Sequence, residues 1–272
     1  MGIKWVQGDA MVASDTLRAA QGVDVIVHAV NPPGYHNWAG LVLPMVDNSI
    51  AAATAVGARI FVPGGLYNYG YDAFPLVQEN APQHPVTEKG RIRAELDRRL
   101  EAASRNGTRA LMVCFGDLFG PVPGGNWFEA LVKPGKKAAS ITYPGRQGVG
   151  HSWAYLPDAG ETVARLLDRE DELGTFDRFN FEGVWDPDGT AMIEAIRAAL
   201  RRPDIKVKPL PWLVLRLVGL FMETPREIWK MRYLWEHSVR LDSRKLVALL
   251  GEEPHTPLED AVRATLTALN VS

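Results

Sequence analysis

The chain is poor in cysteine, in net positive charge and in long apolar runs, and each shortage excludes a class of protein or site. Cys114 is its only cysteine among 272 residues, which excludes an internal disulfide and any multi-cysteine metal site. The formal charge of −2 provides no overall basic field for nucleic acid. The most apolar run, Leu210–Met222, is interrupted by Pro211 and Arg216 and is too short to span a bilayer. The amino end lacks the long apolar core of a signal peptide. We therefore expect a cytoplasmic protein with no nucleic-acid or membrane partner.

The most informative stretch that is present is Val23–Pro33. Its apolar run Val25–Val27 has no polar alternation, which is typical of a strand buried on both faces of a parallel sheet. The run ends at Asn31-Pro32-Pro33, because proline removes backbone donors. Ligands of open α/β sheets collect at the carboxyl ends of strands, where His28–Asn31 lie. The alternative is a core strand followed by an ordinary loop.

Strand-like and helix-like segments alternate along the first half of the chain. The predicted order is a strand at Trp5–Asp9, a strand at Asp24–Val30, a helix at Leu41–Val56, a strand at Arg59–Pro63, a helix at Glu88–Ser104 and a strand at Thr108–Phe115. Such alternation predicts an α/β protein with a doubly wound parallel sheet. Further helices are expected near 190–200, from Thr256 onward, and within Pro209–Met222 and Thr224–His237.

Several short motifs in this order resemble one known family. They are Gly8-Asp9, His28-Ala29-Val30, Asp47-Asn48, the segment Pro63–Gly70, the segment Phe115–Pro121 with its Gly120-Pro121 turn, and His151-Ser-Trp-Ala-Tyr-Leu-Pro-Asp158. Together they resemble the extended and atypical short-chain dehydrogenase/reductases, the NAD-dependent epimerase/dehydratase group. The resemblance implies a Rossmann-like domain over 1–122 and about 150–182, and a small, mainly helical substrate lobe over 123–149 and 183–272. It also implies NAD or NADP as cofactor, a small-molecule substrate and a homodimer.

The resemblance assigns cofactor contacts to individual residues. Asp9 would meet the adenine, and His28, Ala29 and Val30 would line the cofactor. The family begins with a strand and a Gly-x-x-Gly-x-x-Gly turn that holds the pyrophosphate, and nothing of that kind precedes Trp5. We therefore expect an incomplete Rossmann-like sheet with an open edge, from an amino-terminally shortened version of a longer protein.

The usual catalytic residues of the family are also missing. No Tyr-x-x-x-Lys pair occurs, and alignment places Lys89 at the tyrosine, Arg93 at the lysine and Gly65 at the serine. Lys89 and Arg93 share one helix face, so Lys89 beside a cation could have a lowered pKa and act as the acid/base. Arg93 could bind ribose or phosphate. The alternative is that both are solvated charges at the start of a helix.

Two tyrosines offer another source of acid/base chemistry. Tyr67 and Tyr69 follow the Arg59–Pro63 strand and could replace the missing acid, although such residues more often pack or stack. The histidines are too dispersed to predict a metal site. Cys114 with Asp117 could form a nucleophile site, but the position of Cys114 within an apolar strand favours an inert buried thiol.

Two function classes therefore remain. One is an NAD(P)-dependent oxidoreductase or epimerase that uses Tyr67, Tyr69 and Lys89, with a mainly apolar substrate pocket indicated by the Trp- and Leu-rich carboxyl-terminal lobe. The other is a catalytically inactive dinucleotide-binding or scaffold protein of the same fold. In that case the missing tyrosine, lysine and serine indicate that catalysis has been lost.

Overall fold

A computed structural model describes residues 2–32, 34 and 36–272. Its strands are β1 (Val25–Val27), β2 (Arg59–Gly64), β3 (Leu76–Val77), β4 (Ala110–Cys114), β5 (Asp117–Phe119), β6 (Ile141–Tyr143), β7 (His151–Tyr155), β8 (Phe176–Asn180), β9 (Val184–Asp186), β10 (Val207–Pro209) and β11 (Arg240–Leu241). Its helices are α1 (Ala13–Ala19), α2 (Trp38–Val56), α3 (Glu88–Arg105), α4 (Trp127–Leu131), α5 (Leu156–Leu167), α6 (Ala191–Leu200), α7 (Trp212–Val218), α8 (Glu223–Lys230), α9 (Tyr233–Glu236), α10 (Arg244–Leu250) and α11 (Leu258–Ala268).

The largest sheet has four strands in the order β1-β2-β4-β8, and every pair in it is parallel. Helix α2 connects β1 to β2, and α3 lies between β2 and β4 along the chain. Parallel neighbours need such crossovers, which place helices against the faces of the sheet. The predicted α/β fold with a parallel, Rossmann-like sheet is confirmed.

Both faces of this sheet are covered, as the apolar strands predict. On one face Ile60 and Met112 pack with Val46 of α2 and Leu96 of α3. On the other face Phe61, Leu111 and Phe179 pack with side chains of α5 and α10. Adjacent residues such as Ile60 and Phe61 point to opposite faces, so each central strand contributes to two cores.

A third hydrophobic core lies outside the four-stranded sheet. It contains Phe128 of α4, Trp153 of β7, Met192 of α6 and Val262 of α11. These elements come mostly from the segments predicted to form the substrate lobe. Part of the same segments packs elsewhere, because Leu246 of α10 lies against the main sheet.

The amino-terminal strand prediction is wrong. Residues 2–9 form no strand, and the side chain of Trp5 is exposed. The expectation that the Val25–Val27 run is buried on both faces also fails, since Val27 is 55% exposed. Within the described chain β1 pairs with β2 alone, so one side of this short strand has no neighbour to bury it. Pro33, the last residue of that stretch, lies outside the described residues.

Helix α2 has the length and apolar character needed to cross a bilayer, by composition alone. It packs instead as a core helix, with Val42, Val46 and Ala53 buried against the sheet. Its carboxyl end is fixed by Gly57, whose φ of 72° is the left-handed conformation that favours glycine.

Candidate functional site

A cavity of about 380 Å³ opens at the carboxyl ends of the parallel strands. Its lining comes from three successive loops, at 28–31 after β1, at 64–68 after β2 and at 115–118 after β4. The rest of the wall includes Trp38, Trp127 and Leu234, which make it largely apolar. This end of the sheet is where α/β proteins bind ligands, so the strand order alone places a candidate site here.

His28 forms the wall of the cavity at the end of β1. Its ring is 4% exposed, and its Nδ1 lies 2.8 Å from the Ser49 hydroxyl. That hydroxyl donates to the Met45 carbonyl at 3.2 Å, so His28 Nδ1 is the donor toward Ser49. Burial lowers the pKa of His28 to about 4, and the nearby Arg93 charge adds to this. His28 is therefore a neutral ring near pH 7.

Arg93 supplies positive charge to the cavity. Its half-buried guanidinium lies over the Trp38 indole, 5.3 Å from the ring centre, in a cation–π contact. Burial lowers the pKa of Arg93, and an arginine stays protonated near neutral pH. Across the residues that the structure describes, no carboxylate forms an ion pair with it within 4 Å. An arginine without such a partner in an apolar cavity favours an anionic or strongly polar group on the ligand.

Lys89, predicted as the acid/base, is not brought to the cavity. Its side chain is 2% exposed, and its Nζ lies 3.3 Å from Glu227 Oε2 on α8. Glu227 also accepts from Lys230 at 2.7 Å. Burial lowers the pKa of Lys89 to about 8 against the opposing effect of Glu227. The lysine therefore joins α3 to α8 behind the wall that Trp38 forms.

The two predicted tyrosines have different surroundings. Tyr67 lines the cavity, with its ring 6.4 Å from that of Trp38. Tyr69 is fully buried in the core, and burial beside Cys114 raises the pKa of its hydroxyl. Of the three residues predicted to be catalytic, only Tyr67 borders the cavity. Gly65 also lines it, and a Cβ there would meet no atom within 4 Å.

Asp9, predicted to meet an adenine, lies outside the main cavity. It borders a second hollow of about 310 Å³ beside β1, and the two spaces share His28 and Val30. The Asp9 carboxylate accepts from the Met11 backbone at 2.8 Å. Among the described residues of this hollow the fixed charges are the carboxylates of Asp9 and Asp15. Ala29 and Val30 line the main cavity next to His28.

The cavity wall also contains a histidine–carboxylate pair that was not among the predicted site residues. His151 Nε2 lies 2.7 Å from Asp117 Oδ2, and the ring stacks on Trp235 with 3.7 Å between ring centres. His151 is 4% exposed, so its orientation is fixed by both contacts. A carboxylate-oriented histidine is a common acid/base arrangement. The signal was present, because both residues lie in segments that carry the family resemblance.

Comparison with known proteins identifies the fold. No family model matches the chain, and no curated protein matches it in sequence. Among solved structures, the UDP-glucuronic acid 4-epimerase from Bacillus cereus in complex with NAD is similar with a TM-score of 0.76 and 14% identity, over 97% of this chain and 80% of that one. The UDP-N-acetylglucosamine 4-epimerase from the same organism gives 0.71 and 16%, over 96% and 85%. RMD from Pseudomonas aeruginosa complexed with NADPH gives 0.72 and 15%, over 97% and 87%. The chain has the fold of these proteins.

Proposed function

We propose, from a fold shared with NAD-binding epimerases, that this protein binds the nicotinamide end of NAD or NADP together with a small, largely apolar molecule in the cavity. The observation that carries the proposal is the position of the cavity at the carboxyl ends of β1, β2 and β4, with Arg93 in its wall. When bound, the nicotinamide would take up or return a hydride. The reaction class is that of an oxidoreductase or epimerase.

The cavity residues fit the nicotinamide end of such a cofactor. Gly65 leaves open space where a side chain would stand, and the loop 28–30 offers backbone and the neutral His28 ring. The adenosine end would reach the hollow beside β1, where Asp9 could accept hydrogen bonds from it. The described residues that line the cavity and the hollow include no lysine, and Arg93 is the one arginine among them. Dinucleotide binding should therefore depend strongly on Arg93.

Proton transfer to the bound molecule falls to His151. Asp117 holds its Nε2, and Trp235 holds the plane of the ring, so the imidazole is oriented before a ligand arrives. The carboxylate stabilises the imidazolium that forms when the ring takes a proton. Tyr67, on the same cavity wall, can hydrogen-bond a hydroxyl or carbonyl of the ligand.

A second candidate function is binding without turnover. It is favoured because the described chain does not assemble the hydroxyl and lysine that the family uses. Tyr69 is buried with a raised pKa, Lys89 is paired with Glu227, and Gly65 has no hydroxyl. On this alternative the cavity binds a dinucleotide or a small molecule as a signal or as part of a scaffold.

The first experiment is a fluorescence titration with NADH and NADPH. We expect saturable binding of at least one of them, and Arg93→Ala should weaken it about tenfold or more because a charge-assisted contact is lost. Arg93→Lys should recover part of the affinity. Arg91→Ala is the matched control, since Arg91 lies on the same helix with its side chain 62% exposed. Absence of binding by the unaltered chain would refute the dinucleotide proposal.

The second experiment separates turnover from binding. The protein, loaded with whichever cofactor binds, is incubated with a panel of UDP-sugars and followed at the absorption band of the reduced nicotinamide. Formation of reduced cofactor that is lost in His151→Asn supports the enzyme. Tight binding with no redox change across the panel supports the non-catalytic alternative.

A further inference from the structure

Helix α7 and the turn that leads to α8 expose a concentration of apolar side chains. Leu213, Val214, Leu217, Leu220, Phe221 and Met222 are between 54 and 89% exposed, all within ten consecutive residues. We call these six residues the apolar hairpin surface. Isolated exposed apolar residues are ordinary, whereas a contiguous group marks a contact surface.

The fold holds this surface outward. Gly219 ends α7, and a Cβ there would lie only 2.7 Å from Arg226 Cα, so α8 crosses α7 in close contact at this glycine. On the inner side Trp212 Nε1 donates to the Pro144 carbonyl at 2.9 Å, and Ile228 of α8 lines the cavity. The hairpin is thus fixed to the body of the protein by one side and presents Leu220–Met222 at its tip.

The charge around the hairpin is positive although the whole chain carries −2. Residues 201–232 contain eight Lys and Arg and three Asp and Glu. The three carboxylates are all engaged, Asp204 by Arg202, Glu223 by His36, and Glu227 by lysines. By contrast Lys206, Lys208 and Arg216 form no ion pair with any described residue. Lys206 and Lys208 precede the apolar hairpin surface in the chain, and Arg216 lies within it, 5.6 Å from the centre of the Trp229 ring.

We propose that the α7–α8 hairpin binds the surface of an anionic membrane. Leu217, Leu220 and Phe221 would enter the headgroup boundary, and Lys206, Lys208 and Arg216 would contact lipid phosphates. Apolar residues together with unpaired cations are the composition of interfacial membrane segments. A segment lying in the interface needs no membrane-spanning run, which is why the run-length criterion applied to the sequence did not detect it.

Charge complementarity favours a bilayer over a second copy of this chain. A symmetric dimer through this surface would bring the cations of both copies into one interface, without added carboxylates to pair with them. Such like-charge contacts oppose association, whereas an anionic lipid surface attracts each cation.

Vesicle flotation tests the proposal, with vesicles of phosphatidylcholine alone or mixed with phosphatidylglycerol. We expect binding to the mixed vesicles that weakens as salt rises, and at least about tenfold weaker binding by a Leu217→Glu, Phe221→Glu double variant. Lys206→Glu with Lys208→Glu should reduce binding to mixed vesicles as well. Val122→Glu is the matched control, because Val122 is 58% exposed far along the chain from the hairpin.

Two results would overturn the proposal. One is that the unaltered chain does not float with the mixed vesicles, or floats equally well as the Leu217→Glu, Phe221→Glu variant. The other is a dimer in light scattering that this variant converts to a monomer while neither protein binds vesicles, which would assign the surface to self-association. All substituted side chains are exposed, and circular dichroism with thermal unfolding confirms that each variant folds.

Discussion

Replacing the buried Lys89 with methionine tests whether burial lowers the pKa of this lysine. Burial lowers the pKa of Lys89 from an ordinary 10.5 to about 8. Between those two pH values the unfolded chain binds the lysine proton more tightly than the folded chain does. The free energy of unfolding of the unaltered protein should therefore rise with pH across this interval, and Lys89→Met should remove the rise.

The size of the effect follows from the two pKa values. One pKa unit corresponds to about 1.4 kcal/mol, so going from about pH 7.5 to about pH 9.5 should stabilise the unaltered protein by about 2 kcal/mol relative to Lys89→Met. The variant leaves Glu227 paired with Lys230 at 2.7 Å, so no carboxylate is stranded. Urea unfolding followed by tryptophan fluorescence at both pH values measures the difference.

The matched control for this prediction is Lys208→Met. Lys208 is exposed and lacks an ion pair with the described residues, so its removal should leave the pH dependence unchanged. A constant difference between the unaltered protein and Lys89→Met across the same interval would refute the lowering of the Lys89 pKa by burial.

Three further predictions concern the cavity and the cores. Gly65→Val should keep thermal stability but abolish ligand binding in calorimetry, because its side chain enters open space in the cavity. Arg59→Met should cost about 3 kcal/mol in urea unfolding, because the buried guanidinium that bonds Glu170 at 2.6 Å and the Gly174 carbonyl at 3.0 Å is lost. Equal stability of that variant would contradict the bonding. Cys114 should react with a thiol reagent only in urea, because burial raises the pKa of its thiol to about 12; rapid reaction of the folded chain would show that β4 is accessible.

Much of the fold was predictable because local patterns determine it. The apolar spacing that predicts helices at Leu41–Val56 and Glu88–Ser104 is confirmed with shifts of a few residues at the ends. The central strands β2 and β4 lie where continuous apolar runs predict them. The predicted strand at Trp5–Asp9 is wrong because a strand needs a pairing partner, and the local sequence does not show whether one is present.

The candidate site was only partly predictable. The end of a predicted strand places His28 at the cavity, and the family resemblance assigns Arg93 to the same site. The partner of Lys89 is Glu227, which lies far along the chain on a helix whose packing no local pattern specifies. The contact between Asp117 and His151 depends on β5 pairing with β7, a feature of the topology rather than of either segment.

The one-sided pairing of β1 affects how any ligand is held. Its carboxyl end supplies Ala29 and Val30 to the cavity wall, yet in the described chain only β2 holds the strand in place. A strand with hydrogen bonds along a single side opens more readily than one between two neighbours. Part of the interaction free energy of a bound molecule would therefore go into stiffening this wall, and affinity would be weaker than the area of contact suggests.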